Sequence, residues 1–89
     1  MIEVECITNS RGDKDWYIKG TEIHHREDGP AIEYVNGDKS WWQHDKLHRL
    51  NGPAIEHVNG YKQWWIQDKR IFVETQKDFE RYVKLMAFE

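Results

Sequence analysis

Apolar and polar residues alternate along this chain in short bursts, and the bursts recur. Ala31-Ile32-Glu33-Tyr34-Val35 runs into Asn36-Gly37 and on to Trp41-Trp42, and Ala54-Ile55-Glu56-His57-Val58 runs into Asn59-Gly60 and on to Trp64-Trp65. Gly29 returns as Gly52 and Trp41 as Trp64, a period of 23 residues that marks a repeat architecture. A repeat unit cannot bury its apolar face alone, so its recurring residues are first of all stacking devices.

Asn-Gly between β-branched and aromatic runs is a strong hairpin signal, and a two-residue type I′ turn is expected at Asn36-Gly37 and at Asn59-Gly60. Counting outward from those turns, Ile32 faces Trp41 and Ile55 faces Trp64. Matching Gly12 to Gly37 lays the same frame on the N-terminal segment at an offset of 25, with Ile7 facing Trp16. The first hairpin lacks Gly-Pro-Ala, as a degenerate capping unit would. Alternation then sorts the side chains onto two faces. A core face carries Ile7, Ile32 and Ile55 with Trp16, Trp41 and Trp64. A mixed face carries Tyr17, Trp42 and Trp65 with the carboxylates of Glu33 and Glu56.

The pattern changes after Thr75. Asp78 three residues on gives a near capping box, and Phe79, Tyr82, Val83 and Met86 recur at helical spacing, which predicts an amphipathic helix over 76–88 with Phe79, Val83 and Met86 as its apolar side. The expected fold is mostly β: about three tandem antiparallel hairpin repeats in an extended twisted sheet with a C-terminal capping α-helix. It is a single domain over 1–89, with a degenerate hairpin over 1–22, two 23-residue repeats over 23–74 and the helical cap over 75–89.

Length, cysteine content and charge bound the function. A chain of 89 residues buries only about 60% of its unfolded surface, and five Trp partly compensate for so small a core. The single Cys6 has no internal disulfide partner, which fits a reducing compartment. The opening residues carry acid where a signal peptide carries base, and no apolar run reaches membrane-spanning length. A cytoplasmic protein without a transmembrane segment is expected. The formal net charge of −3 has the wrong sign for affinity driven by phosphate counterion release, so nucleic acid is disfavoured as a partner despite basic spots at Lys46 with Arg49 and Lys69 with Arg70.

Aromatic pairs followed by a turn, Lys46-Leu47-His48-Arg49 and then Asn51-Gly52-Pro53-Ala54, together resemble the MORN repeat. His25-Arg26-Glu27-Asp28-Gly29-Pro30-Ala31 with Trp41-Trp42 is similar to the MORN-like variant common in small proteins of tailed bacteriophages. The resemblance covers about residues 14–74. The departures are Asp45 and Asp68, where such turns usually carry Gly, and His48-Arg49-Leu50, which lacks the acidic residue. The resemblance implies stacked hairpins without catalysis of their own, serving as a contact surface for proteins and sometimes for lipid headgroups. It also implies a small phage-type protein that binds and inhibits a host protein, in a defence system among other targets, in the host cytoplasm.

Candidate chemistry yields to the repeat. His24, His25, His44, His48 and His57 lack partners at metal-ligand spacing, and His25 and His48 are repeat-matched, four residues before Gly-Pro, which suits a recurring hydrogen-bonding or packing role. Glu33 and Glu56 sit one repeat apart but with nothing to split their pKa values. Arg11-Gly12-Asp13 coincides with a turn that the hairpin frame already requires. A non-enzyme without cofactor or metal is expected, with Tyr17, Trp42, Trp65, Glu33 and Glu56 as the partner-binding residues and a partner of basic surface. An exposed Trp row contacting glycans or lipid headgroups is the alternative. The first strand, near Val4 to Thr8, offers an open edge for a dimer or for an added strand.

Overall fold

The computed structural model describes residues 2–86. Nine strands precede one helix: β1 (Val4–Thr8), β2 (Lys14–Ile18), β3 (Ile32–Glu33), β4 (Lys39–Ser40), β5 (Trp42–Gln43), β6 (Lys46–Leu47), β7 (Ile55–Glu56), β8 (Lys62–Ile66), β9 (Lys69–Ile71) and α1 (Gln76–Met86). Seven strands form one antiparallel sheet in the order β1-β2-β3-β4-β7-β8-β9, and β5 pairs with β6 separately. The mostly β hairpin fold with a single C-terminal helix is as the sequence leads one to expect. Residues 87 and 88 of the expected helix lie outside the described residues.

The register differs from the expected one by a single residue in all three hairpins. Ile32 pairs with Ser40, Ile55 with Gln63, and Cys6 with Trp16. The cause is turn length. Tyr34 donates its N–H to Asp38 O and Gly37 donates to Tyr34 O, both at 2.9 Å, which closes a three-residue loop over Val35-Asn36-Gly37. Gly37 alone in that loop has positive φ, at 100°, whereas a type I′ turn needs it at Asn36 too. Asn36 is otherwise engaged: its Oδ1 accepts the Asp38 N–H at 2.9 Å, an Asx interaction. Asn59 accepts the Tyr61 N–H in the same way.

Two-residue turns with the type I′ signature occur at the opposite ends of the strands. His44-Asp45 (φ 50° and 66°) and Gln67-Asp68 (φ 49° and 69°) join Gln43 to Lys46 and Ile66 to Lys69. Left-handed backbone costs a non-glycine residue about 1–2 kcal/mol. Here the turn is tied to the preceding repeat. Asp45 N donates to His24 O at 2.8 Å, Asp45 Oδ1 accepts from His24 N, and His44 N donates to His25 Nδ1 at 3.0 Å. Asp68, Leu47, Gln67 and His48 repeat the arrangement. Asp45 and Asp68 thus supply carboxylates that glycine would lack, and repeat-matched His25 and His48 serve as acceptors.

The hydrophobic core is concentrated at the C-terminal end. Trp64 (4% exposed), Ile71 and Phe79 cluster there, flanked by Ile66, Val73, Tyr82 and Val83. Thr75 Oγ1 accepts the Asp78 N–H at 3.1 Å and starts the helix. Phe79 then lies against Trp64 with ring centroids 6.4 Å apart, and Gln76 Oε1 accepts the Trp64 indole N–H at 2.7 Å. The apolar side of α1 is therefore Phe79, Tyr82 and Val83. Met86, expected on that side, is 45% exposed and lies outside the cluster that Phe79, Tyr82 and Val83 join.

Trp64→Ala should destabilise the fold by about 3–5 kcal/mol in denaturant titration, and Phe79→Ala by a similar amount, since each truncation opens a cavity in the same cluster. Gly37→Val should cost more than about 1 kcal/mol, because φ there is left-handed. A Gly37→Val protein as stable as the parent would contradict the turn geometry on which the register rests.

Candidate functional site

The register decides which side chains share a face. Lys14 pairs with Glu33, Glu33 with Lys39, Lys39 with Glu56, and Glu56 with Lys62, a row of alternating charge across five strands. Two residues along the strands, on this same face, stand Trp16, Trp41 and Trp64. Asp15, Ile32, Ser40, Ile55 and Gln63 form the complementary row on the opposite face, and Tyr17, Trp42 and Trp65 continue it. The five residues expected to form one partner-binding face are therefore divided. Tyr17, Trp42 and Trp65 lie on one side of the sheet and Glu33 and Glu56 on the other, because a one-residue shift of register changes which strand partner each side chain meets.

Glu33 and Glu56 belong to a device that sequence reasoning missed. The Arg26 guanidinium lies 4.0 Å from the centroid of a Trp16 ring and that of Arg49 lies 3.8 Å from a Trp41 ring. Each arginine also donates through Nη1, Arg26 to Pro30 O and Glu33 Oε2 and Arg49 to Pro53 O and Glu56 Oε2, at 3.0–3.2 Å. Gly29 and Gly52 make room for it: a Cβ there would come within 2.7 Å of Arg26 Cζ and 2.5 Å of Arg49 Cζ. The available signal was Arg26 and Arg49 recurring on the period, each three residues before Gly. Phe72 holds the next position in that series, and at the end of the array Trp64 is covered by Phe79 instead.

The other face carries an aromatic row. The His24 ring sits 4.5 Å from that of Tyr17 and 5.6 Å from that of Trp42, its nitrogens 3.1 Å from Asp15 Oδ1 and 3.3 Å from Asp45 Oδ1. Burial first, and then the carboxylates of Asp15, Glu22 and Asp45, push the Tyr17 phenol above its ordinary range. The Trp42 indole N–H donates to Ser40 Oγ at 2.8 Å, and Trp65 donates to Gln63 Oε1 at 3.0 Å. Beside Trp42 an open groove of about 530 Å³ runs over Tyr34, Val35, Leu47, Ile55 and His57. The helix lies against Trp64 on the opposite face and leaves this groove uncovered.

Asp13 and Asp38 edge the groove, and both are committed to the fold. Asp13 Oδ1 accepts the Val35 N–H and Asp38 Oδ1 the Val58 N–H, each at 2.8 Å and each reaching into the following repeat. These amide bonds, aided by Asn9 and Arg11 at Asp13 and by His57 and Asn36 at Asp38, hold both carboxyls below the usual carboxylate range. Among the described residues no three His, Cys, Asp or Glu side chains converge as a metal site, and no helix is long and apolar enough to cross a membrane. Compared with protein-family models, with curated proteins and with solved structures, the chain matches none.

Acid should loosen the array in two stages. Burial lowers the His48 pKa, and its Nδ1 must stay unprotonated to accept the Gln67 N–H. Its contribution is full above the unfolded value of about 6.5 and fades as pH falls through the lower folded value. The lowered pKa values of Asp13 and Asp38 place their contribution above the unfolded value of about 3.9, with loss as pH falls further through the folded values. Melting temperature should therefore decline first in weakly acidic buffer and again below the carboxylate range. In Asp13→Asn/Asp38→Asn the second decline should flatten, and an unchanged acid profile would contradict the assignment.

Proposed function

We propose that the protein is a non-catalytic binding module of phage type that acts stoichiometrically on a host protein, with defence-system proteins as the first class to test. The observation that carries this reading is the open groove beside Trp42, none of whose lining residues belongs to α1. Interface anchors are enriched in Trp and Tyr set in desolvated hollows, and Trp42 and Tyr34 flank such a hollow here. The side chains that acid–base chemistry would draw on are engaged in cis: Glu33 and Glu56 by arginines, Asp13 and Asp38 by amides. The resemblance to MORN-like phage repeats points to the same class of activity.

The division of the sheet faces changes the surface and the partner from those expected on sequence. Trp42 and Tyr17 remain candidates, with Tyr34 and Val35 added at the groove and Trp65 further along the face. Glu33 and Glu56 leave the set, since their charge is met within the chain. The partner's complement is accordingly an apolar anchor rather than a basic patch.

Affinity capture from host lysate by immobilised full-length protein, read by mass spectrometry, tests the proposal. Trp42→Ala and Val35→Glu should each weaken capture of the same protein by about tenfold or more, the cost typical of an interface anchor, while circular dichroism and melting stay near those of the parent. Capture undiminished by both changes would move the site off this face. Resonance shifts around Trp42 on adding soluble oligosaccharides or lipid vesicles, with no protein captured, would transfer the face to the glycan or lipid reading.

A further inference from the structure

The two margins of the sheet are unlike. At the C-terminal margin β9 is three residues long, carries Lys69 and Arg70, and leads within a few residues into α1. Short charged strands beside a helix are how natural sheets defend an edge. At the other margin β1 is five residues long and, among the described residues, pairs on one side only, with β2. Within it Glu5 is the single charge, there is no Pro or Lys, and Ile7 is 50% exposed.

The backbone of β1 has a definite free side. Lys19 N donates to Glu3 O at 2.9 Å and Asn9 N donates to Asp13 O at 3.0 Å, so the N–H and C=O groups of Glu3 and Asn9 face β2. Alternation in an antiparallel ladder turns those of Glu5 and Ile7 the same way, and those of Val4, Cys6 and Thr8 outward.

We propose that this edge docks a second copy of the chain, β1 against β1, antiparallel about a two-fold axis at Cys6. Charge and the number of bonds formed select that register: an axis at Glu5 would oppose two carboxylates, and one at Ile7 would pair only Cys6 with Thr8 within the strand. Centred on Cys6, Val4 faces Thr8 of the other copy, Glu5 faces Ile7, and no two carboxylates are opposed. Centred on Val4, Glu3 would face Glu5, a directly opposed like-charge pair. Centred on Thr8, the pairing would run into the Asn9–Asp13 turn, which is already closed on itself. The chosen register satisfies the outward amides and carbonyls of both strands and joins the two sheets into one. A two-fold perpendicular to the sheet keeps like faces together, so both Trp42 grooves open on the same side. The helices lie at the far margins, out of the way. This inference does not rest on the partner proposed above, because the groove is on a face and this contact is on an edge.

Sedimentation equilibrium on the full chain, across a concentration series reaching the millimolar range, tests it. Wild type under reducing conditions and Cys6→Ser should share one monomer–dimer constant. Cys6→Lys, which sets two ammonium groups opposite each other, should weaken it by at least about tenfold. Cys6→Pro should do the same, since it deletes an outward N–H and no bond to β2. Should that variant fold poorly, Cys6→Lys carries the result. Amide exchange should show concentration-dependent protection at Val4, Cys6 and Thr8, with Glu5 and Ile7 protected at every concentration. A monomer throughout, a dimer indifferent to Cys6→Lys, or protection of the outward amides only when another protein is added would each overturn the assignment.

Discussion

The length of the Asn-Gly turns is the constraint on which the rest of the structure depends. A three-residue loop, held by the Asn36 carboxamide on the Asp38 amide, sets Ile32 against Ser40 rather than Trp41. Because side chains alternate with period two, that single residue decides the neighbours of every group on both faces. It puts Glu33 within reach of the arginine that covers Trp16, and it puts Trp42 over Ser40 beside a groove. With a two-residue turn the same strands would have made a different surface.

A sheet this thin, in a molecule whose smallest extent is 18 Å, has little interior from which to draw stability. The chain compensates by linking each repeat to the next through polar contacts as well as apolar ones. Asp13 and Asp38 reach forward to turn amides, His25 and His48 accept from the next turn, and Arg26 and Arg49 cover Trp rings while satisfying a carbonyl and a carboxylate. The series ends where the third repeat replaces its members. Tyr61 stands where Asp13 and Asp38 stood, Phe72 where the arginines stood, and Phe79 arrives from the helix to cover Trp64. Apolar packing is thus concentrated at the end of the array, where no further repeat can supply hydrogen bonds.

That division of labour leaves two unlike surfaces for function. On the charged face Glu33 and Glu56 are met in cis by Arg26 and Arg49, while Lys14, Lys39 and Lys62 stay exposed. The opposite face keeps its Trp42 groove open, and among the described residues β1 pairs with β2 alone. The protein-binding module and the self-complementary edge proposed above would use one each, without asking one small domain for an enclosed cavity.

The sequence by itself determined the hairpins closed by Gly12, Gly37 and Gly60 and their period, the change to a helix after Thr75, and a shared packing or hydrogen-bonding role for His25 and His48. All of these rest on local chemistry: alternation, turn residues, capping and repetition. It did not determine the register, since Asn-Gly serves both two- and three-residue turns and the choice lies with a side-chain contact two residues on. Nor did it show Arg26 over Trp16 or Asp13 reaching Val35, although each residue recurs along the chain, because contacts between repeats join positions that no local pattern relates. The division of Tyr17, Trp42 and Trp65 from Glu33 and Glu56 followed from that register, and only the tertiary structure decided it, because a face is a property of paired strands and not of any one of them.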